Sequence, residues 1–146
     1  MANQTTSDIV IESDPGTIMT TIADFKSYPT WATGVKETEV VETGIDGRAE
    51  QVRFVLDAPP IRDEYVLAYD WSGDSEVTWS LAENGKMLRA MDGAYVLADQ
   101  GDGTTRVTYR LAVDVSIPLL GMLKRKAEKV IIDTALKGLK KRVEQG

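Results

Sequence analysis

Seven aromatic side chains, Trp31, Tyr65, Tyr69, Trp71, Trp79, Tyr95 and Tyr109, are the residues of this chain best suited to handling a small molecule. Each offers a broad apolar wall with one hydrogen-bonding tip, which can hold and orient an apolar ligand. Each can equally be plain core filling. Tyr65, Leu67, Tyr69 and Trp71 alternate with their neighbours and so share one face of a strand. Trp31, in Tyr28-Pro29-Thr30-Trp31, either packs a short helical segment onto the rest of the molecule or stands at a pocket mouth. Arg89 lies in Met87-Leu88-Arg89-Ala90-Met91, where neither face is decisively polar. Turned inward, its guanidinium would bind a carboxylate or enolate oxygen; turned outward, it is a solvated charge. A bulge at Asp92-Gly93 would exchange the faces before Tyr95, so the run does not declare which. Asp57, Asp63 and Glu64 flank Pro59-Pro60 and would serve as paired acid and base only if burial raised a pKa. Otherwise they are solvated turn charges. Met19, Met87, Met91 and Met122 are adaptable fillers suited to a core or to a permissive pocket.

What is missing narrows the chemistry further. The 146 residues include no histidine and no cysteine. A Ser-His-Asp triad, a Cys-His nucleophile and a thiolate or imidazole metal site are therefore excluded, and no metal or cofactor is expected. Net charge is −6, but it is unevenly placed. Residues 117–146 carry eight basic against three acidic side chains, a net of +5, and the other 116 carry nine against twenty, a net of −11. An acidic surface disfavours nucleic acid. The basic segment leaves room for weak contact with an anionic membrane or an acidic partner. Lys124-Arg125-Lys126 stands at the start of a helical run, where the helix dipole opposes it. Met1–Asp8 is polar and no apolar run reaches the roughly 18 residues a membrane span needs, so the expectation is a soluble, cytoplasmic protein.

The elements that must position these residues follow from periodicity. Thr5–Glu12 alternates around Ile9 and Ile11 and predicts a strand. Asp14-Pro15 is a helix start, with an N-cap acceptor and a proline at N1. Ile18, Met19, Ile22 and Phe25 then suit one helical face, and Thr30-Trp31-Ala32 predicts a second short turn before Gly34. From Val35 to Ser116 the pattern predicts strands at 35–42, 48–56, 62–71, 76–82, 87–98 and 105–115. Asn84-Gly85 is a hairpin signal among the intervening turns. In 105–115, Val107, Tyr109, Leu111, Val113 and Val115 make one apolar face, as in a sheet covered on one side only. The cover is predicted as one long helix from Leu119 to Val143, after Ile117-Pro118 closes the last strand. Its apolar stripe reads Leu120, Leu123, Ala127, Val130, Ile131, Thr134, Ala135, Gly138 and Leu139. At 146 residues the chain suits a single α+β domain.

In this order of elements the sequence resembles the START-like (SRPBCC, helix-grip) superfamily, and within it the polyketide cyclase/dehydrase-like group. The resemblance spans nearly the whole chain. It is carried by Tyr28-Pro29-x-Trp31, by Trp79 before a hairpin, by Asp92-Gly93-Ala94-Tyr95, and by Asp102-Gly103-Thr104-Thr105-Arg106-Val107-Thr108-Tyr109 leading into the last strand. It implies a seven-stranded curved antiparallel sheet around a long C-terminal helix, with a cavity between them for an apolar molecule of lipid, polyketide or quinone type. The side chains then expected against the ligand are Trp31, Phe54, Tyr65, Tyr69, Trp79, Arg89, Tyr95, Tyr109 and Met122. A polyketide cyclase or dehydratase using tyrosine and arginine side chains is one alternative. An interaction module working through the basic last helix is another.

Overall fold

The computed structural model describes residues 4–32, 34–59, 61–116 and 121–145. Strand β1 (Thr5–Ile11) leads to helix α1 (Pro15–Ala23), a 3-10 turn (Phe25–Ser27) and helix α2 (Tyr28–Trp31). Strands β2 (Val35–Thr43), β3 (Ala49–Ala58), β4 (Ile61–Ser72), β5 (Glu76–Glu83), β6 (Leu88–Asp99) and β7 (Thr105–Val115) follow, and helix α3 (Gly121–Gln145) comes after them. The Asp14 cap forms as expected: its carboxylate accepts the Thr17 N–H at 3.0 Å, and Pro15 begins α1. The predicted closure at Ile117-Pro118 and the place of Leu120 lie outside the described residues.

All seven strands join one curved antiparallel sheet in the order β1-β7-β6-β5-β4-β3-β2. Six of the strands run as a meander. The helices α1 and α2 carry the chain from β1 on one edge to β2 on the other. Directly paired residues share a face, so Tyr69, Trp79, Gly93 and Leu111 form one inward row across four strands. Trp71, Val77, Tyr95 and Tyr109 form the next. Between Trp79 and Leu111 only glycine fits, because a Cβ at Gly93 would lie 2.3 Å from the Trp79 ring. The indole lies flat over that gap.

Two local readings are corrected. The bulge in β6 falls at Arg89, between the pairs Leu88–Val115 and Ala90–Asp114, while Asp92 and Gly93 pair in unbroken register. The extra residue lets Leu88 and Met91, three apart, both point inward and leaves Arg89 exposed. Asn84-Gly85 does join β5 to β6, but as part of a four-residue loop in which Gly85 has no positive φ. The Asp63 carboxylate shapes that loop by accepting the backbone N–H groups of Lys86, Met87 and Leu88 at 2.7–2.9 Å. It sits where a Cβ of residue 85 would be.

Helix α3 crosses the concave side and packs chiefly on β1 and β7. Its buried stripe is Ala127, Glu128, Ile132, Ala135, Leu136 and Leu139, whereas Leu123 and Val130 are exposed. The expected stripe is thus out of phase at several positions. Glu128 explains the choice. Its carboxylate accepts Thr5 Oγ1–H at 2.5 Å and the Val113 N–H at 2.7 Å, two residues past the last described β1–β7 pair. Farther along, Lys140 donates to the Val10 carbonyl and Glu144 accepts the Glu12 N–H, both at 2.8 Å. Polar side chains of α3 therefore cover the outer edge of β1.

Candidate ligand-binding site

Between α3 and the middle of the sheet lies an apolar hollow. The sheet contributes Phe54 and Leu56 of β3, Tyr65, Leu67 and Tyr69 of β4, Trp79 of β5, Met91 and Tyr95 of β6, and Tyr109 of β7. Tyr28, Ala32 and Val35 close one end, and Ile131 and Ala135 of α3 form the roof. The rings make a continuous network: Tyr95 and Tyr109 meet edge to face at 4.6 Å between centroids, and Trp79 lies 5.4–5.7 Å from Tyr69, Tyr95 and Tyr109. Phe54 stacks on Tyr65 at 5.8 Å. Such contacts add to simple burial and stiffen the wall. The remaining volume is about 60 Å³.

Apart from the Trp79 indole N–H, the polar content of the wall is phenolic. The Tyr28 hydroxyl donates to the Ile22 carbonyl at 2.5 Å. Among the described residues the hydroxyls of Tyr65, Tyr69, Tyr95 and Tyr109 make no hydrogen bond. Burial pushes all five phenols above their ordinary pKa, with neighbouring tyrosines reinforcing the shift at Tyr28, Tyr65, Tyr69 and Tyr95. At neutral pH they are protonated hydrogen-bond donors and acceptors. They can orient a ligand carbonyl or hydroxyl, but they cannot act as bases.

Of the nine residues expected from sequence, Phe54, Tyr65, Tyr69, Trp79, Tyr95 and Tyr109 line this hollow. Trp31 does not; it packs on Tyr28 at 4.7 Å and faces a groove outside. Arg89 points away from the hollow on the bulge of β6, so it offers a ligand no inward cation. Met122 is 82% exposed on the first turn of α3. Trp71, on the same strand face as Tyr69, is held at the rim, where its indole donates to the Ala49 carbonyl at 2.7 Å and Arg48 lies over its ring. Among the aromatic lining residues, Tyr28 is the one that sequence reasoning does not find. Its spacing of three from Trp31 on a helical turn is the available signal, obscured by Pro29.

The carboxylates around Pro59 have structural partners. Arg62 Nε lies 2.9 Å from Asp57, and Arg53 bonds Glu64 at 2.5 Å. Burial alone would raise the Asp63 carboxyl, but the N–H groups of Leu88, Met87, Glu64 and Lys86 hold it below its ordinary value. No acid/base pair forms there. Among the described residues no cluster of acidic side chains could hold a metal ion, and no helix is long and apolar enough to cross a membrane.

A curved antiparallel sheet gripping a long helix over an aromatic-walled hollow is the START-like, helix-grip architecture. The chain belongs to the polyketide cyclase/dehydrase and lipid transport family, whose model matches residues 3–144. In fold it is similar to a START superfamily protein from Mycobacterium smegmatis, at 21% identity and a TM-score of 0.89 over 99% of both chains. A protein from Thermus thermophilus matches at 21% identity and 0.79 over 97% of each chain. The Zhui aromatase/cyclase from a Streptomyces species matches at 11% identity and 0.80, covering 97% of this chain and 93% of its own. No curated protein matches the sequence.

Proposed function

We propose that this chain, acting as a single domain, binds a small apolar molecule of lipid, polyketide or quinone type between the sheet and α3. The observation that carries this reading is the lining: aromatic and aliphatic throughout, interrupted only by the Trp79 indole N–H and by phenol tips that, Tyr28 aside, have no partner among the described residues. Walls of that kind suit a mostly apolar ligand with one or two oxygens. Drug-sized ligands occupy roughly 300–1,000 Å³, far more than the 60 Å³ left here. Binding must therefore displace side chains and lift part of α3.

The likeness to an aromatase/cyclase favours a second reading, a cyclase or dehydratase acting on a polyketide-like chain. Such chemistry needs a proton acceptor, and the hollow is lined by no charged side chain among the described residues. Binding is the better-supported function. Native mass spectrometry of protein purified from its own host should find a co-purified molecule. Matching ligands should then raise the melting temperature with concentration. A protein that stays empty and unshifted across lipids, quinones and polyketides would overturn the binding reading. Replacing Tyr95 and Tyr109 by phenylalanine separates the two: loss of turnover with binding retained would favour the enzyme.

A further inference from the structure

Helices α2 and α3 meet at Gly138, where a Cβ would stand 1.9 Å from the Trp31 carbonyl oxygen. The two backbones touch along a seam. On its inner side Tyr28, Ala32, Ile131 and Ala135 face the hollow. On its outer side Thr30, Trp31 and Thr134 wall an open groove of about 610 Å³ together with Lys137, Lys141 and Arg142. Trp31 on the groove side and Tyr28 on the hollow side pack directly on each other, 4.7 Å between ring centroids.

Of the five bases of α3 that form no ion pair among the described residues, three line this groove, and Arg125 and Lys126 lie outside it. Lys124, Lys129 and Lys140 each have a carboxylate within ion-pair distance, from Asp114, Asp133 and Glu144. Lys137, Lys141 and Arg142 form no ion pair among the described residues, and all three line the groove. Its one acidic side chain, Asp133, is held 3.0 Å from Lys129. A second observation comes from Trp31. The residue is 7% exposed, yet its indole N–H has no acceptor among the described residues. Buried donors are rarely left so.

We propose that the α2–α3 seam is the mouth of the hollow, and that the groove outside it holds the carboxylate of a single-chain amphiphile whose apolar part lies within. This rests on the binding reading above and names the ligand class. Parting the seam at Gly138 enlarges the hollow on the side of Ala32 and Ala135, the smallest side chains of its lining. Lys137, Lys141 and Arg142 then meet the acid end, and an anionic oxygen supplies the acceptor that the Trp31 N–H lacks among the described residues.

The test compares decanoate with decanol, which share a chain length and differ at the head, by titration calorimetry of the whole chain at low salt and pH 7. Decanoate should bind about tenfold more tightly, the sum of a few modest solvent-exposed charge contacts. That advantage should shrink as salt rises. The combined substitution K137Q/K141Q/R142Q should bring decanoate down to the affinity of decanol. The pair R125Q/K126Q, on the same helix outside the groove, should leave the advantage intact. Equal binding of the two probes, or an advantage that survives the triple substitution, would overturn the mouth and groove while leaving the hollow standing. Binding of neither would remove both. If the triple substitution matters only for anionic phospholipid vesicles, the cations serve a membrane surface and the assignment to a free amphiphile is wrong.

Discussion

All five tyrosines of the chain carry phenols raised by burial, and this gives the molecule a clear alkaline signature. A folded pKa above the unfolded value near 10 means that stability is full below about pH 10 and falls as pH rises beyond it. Tyrosinate absorbance in the near ultraviolet should therefore stay flat through about pH 10 and then appear together with loss of far-ultraviolet dichroism. Five independent titrations near the ordinary phenol value would contradict the buried placement. Gly93 supports the same wall. Gly93→Ala sets a methyl against the Trp79 ring and should cost about 1–3 kcal/mol, the usual range for overpacking, with a changed near-ultraviolet spectrum. The facing aromatics are legible in the sequence because strict alternation fixes their side of the sheet. Arg89 is not, since a bulge breaks alternation without any marker residue. Tyr28 is hidden by a proline that reads as a boundary.

Single elements show where periodicity stops being informative. Val130, Ile131 and Ile132 are three consecutive apolar residues on α3, so counting hydrophobic positions leaves the helix free to rotate by one residue. The rotation is decided by Glu128, whose partners Thr5 and Val113 lie far away in the chain or on another element. Glu128→Ala should destabilise by about 1–3 kcal/mol in urea unfolding, because the Val113 N–H is left buried without an acceptor. The loop from β5 to β6 teaches the same lesson. Asn84-Gly85 announces a hairpin, but the carboxylate of Asp63, back on β4, sets its shape. Asp63→Asn should cost about 1–3 kcal/mol at pH 7 by weakening those bonds. Because the Asp63 pKa is depressed, its contribution is complete above the unfolded value near 3.8 and disappears as pH falls below it. Wild type and variant should converge in stability at low pH; a constant gap would assign the effect to packing instead.

At the scale of the molecule, the order of elements is readable because seven alternating runs and one amphipathic helix admit few arrangements. The volume of the hollow is not, since it is a small difference between the space enclosed by distant elements and the side chains that fill it. The two sheet edges are protected differently. Strand β2 interrupts its pairing with irregularities and presents Lys36, Glu37, Glu39 and Glu42, whereas β1 is covered by Lys140 and Glu144 of α3. That second arrangement joins residues more than 120 positions apart. A ribosome delivers α3 after every strand, so each nascent molecule spends an interval with a bare margin of unpaired amides and a greasy concavity open to its neighbours. The rate at which the last helix snaps into place, slow for contacts of such sequence separation, sets how long that exposure lasts. Yield at high expression temperature should depend on it more than on the final stability of the fold.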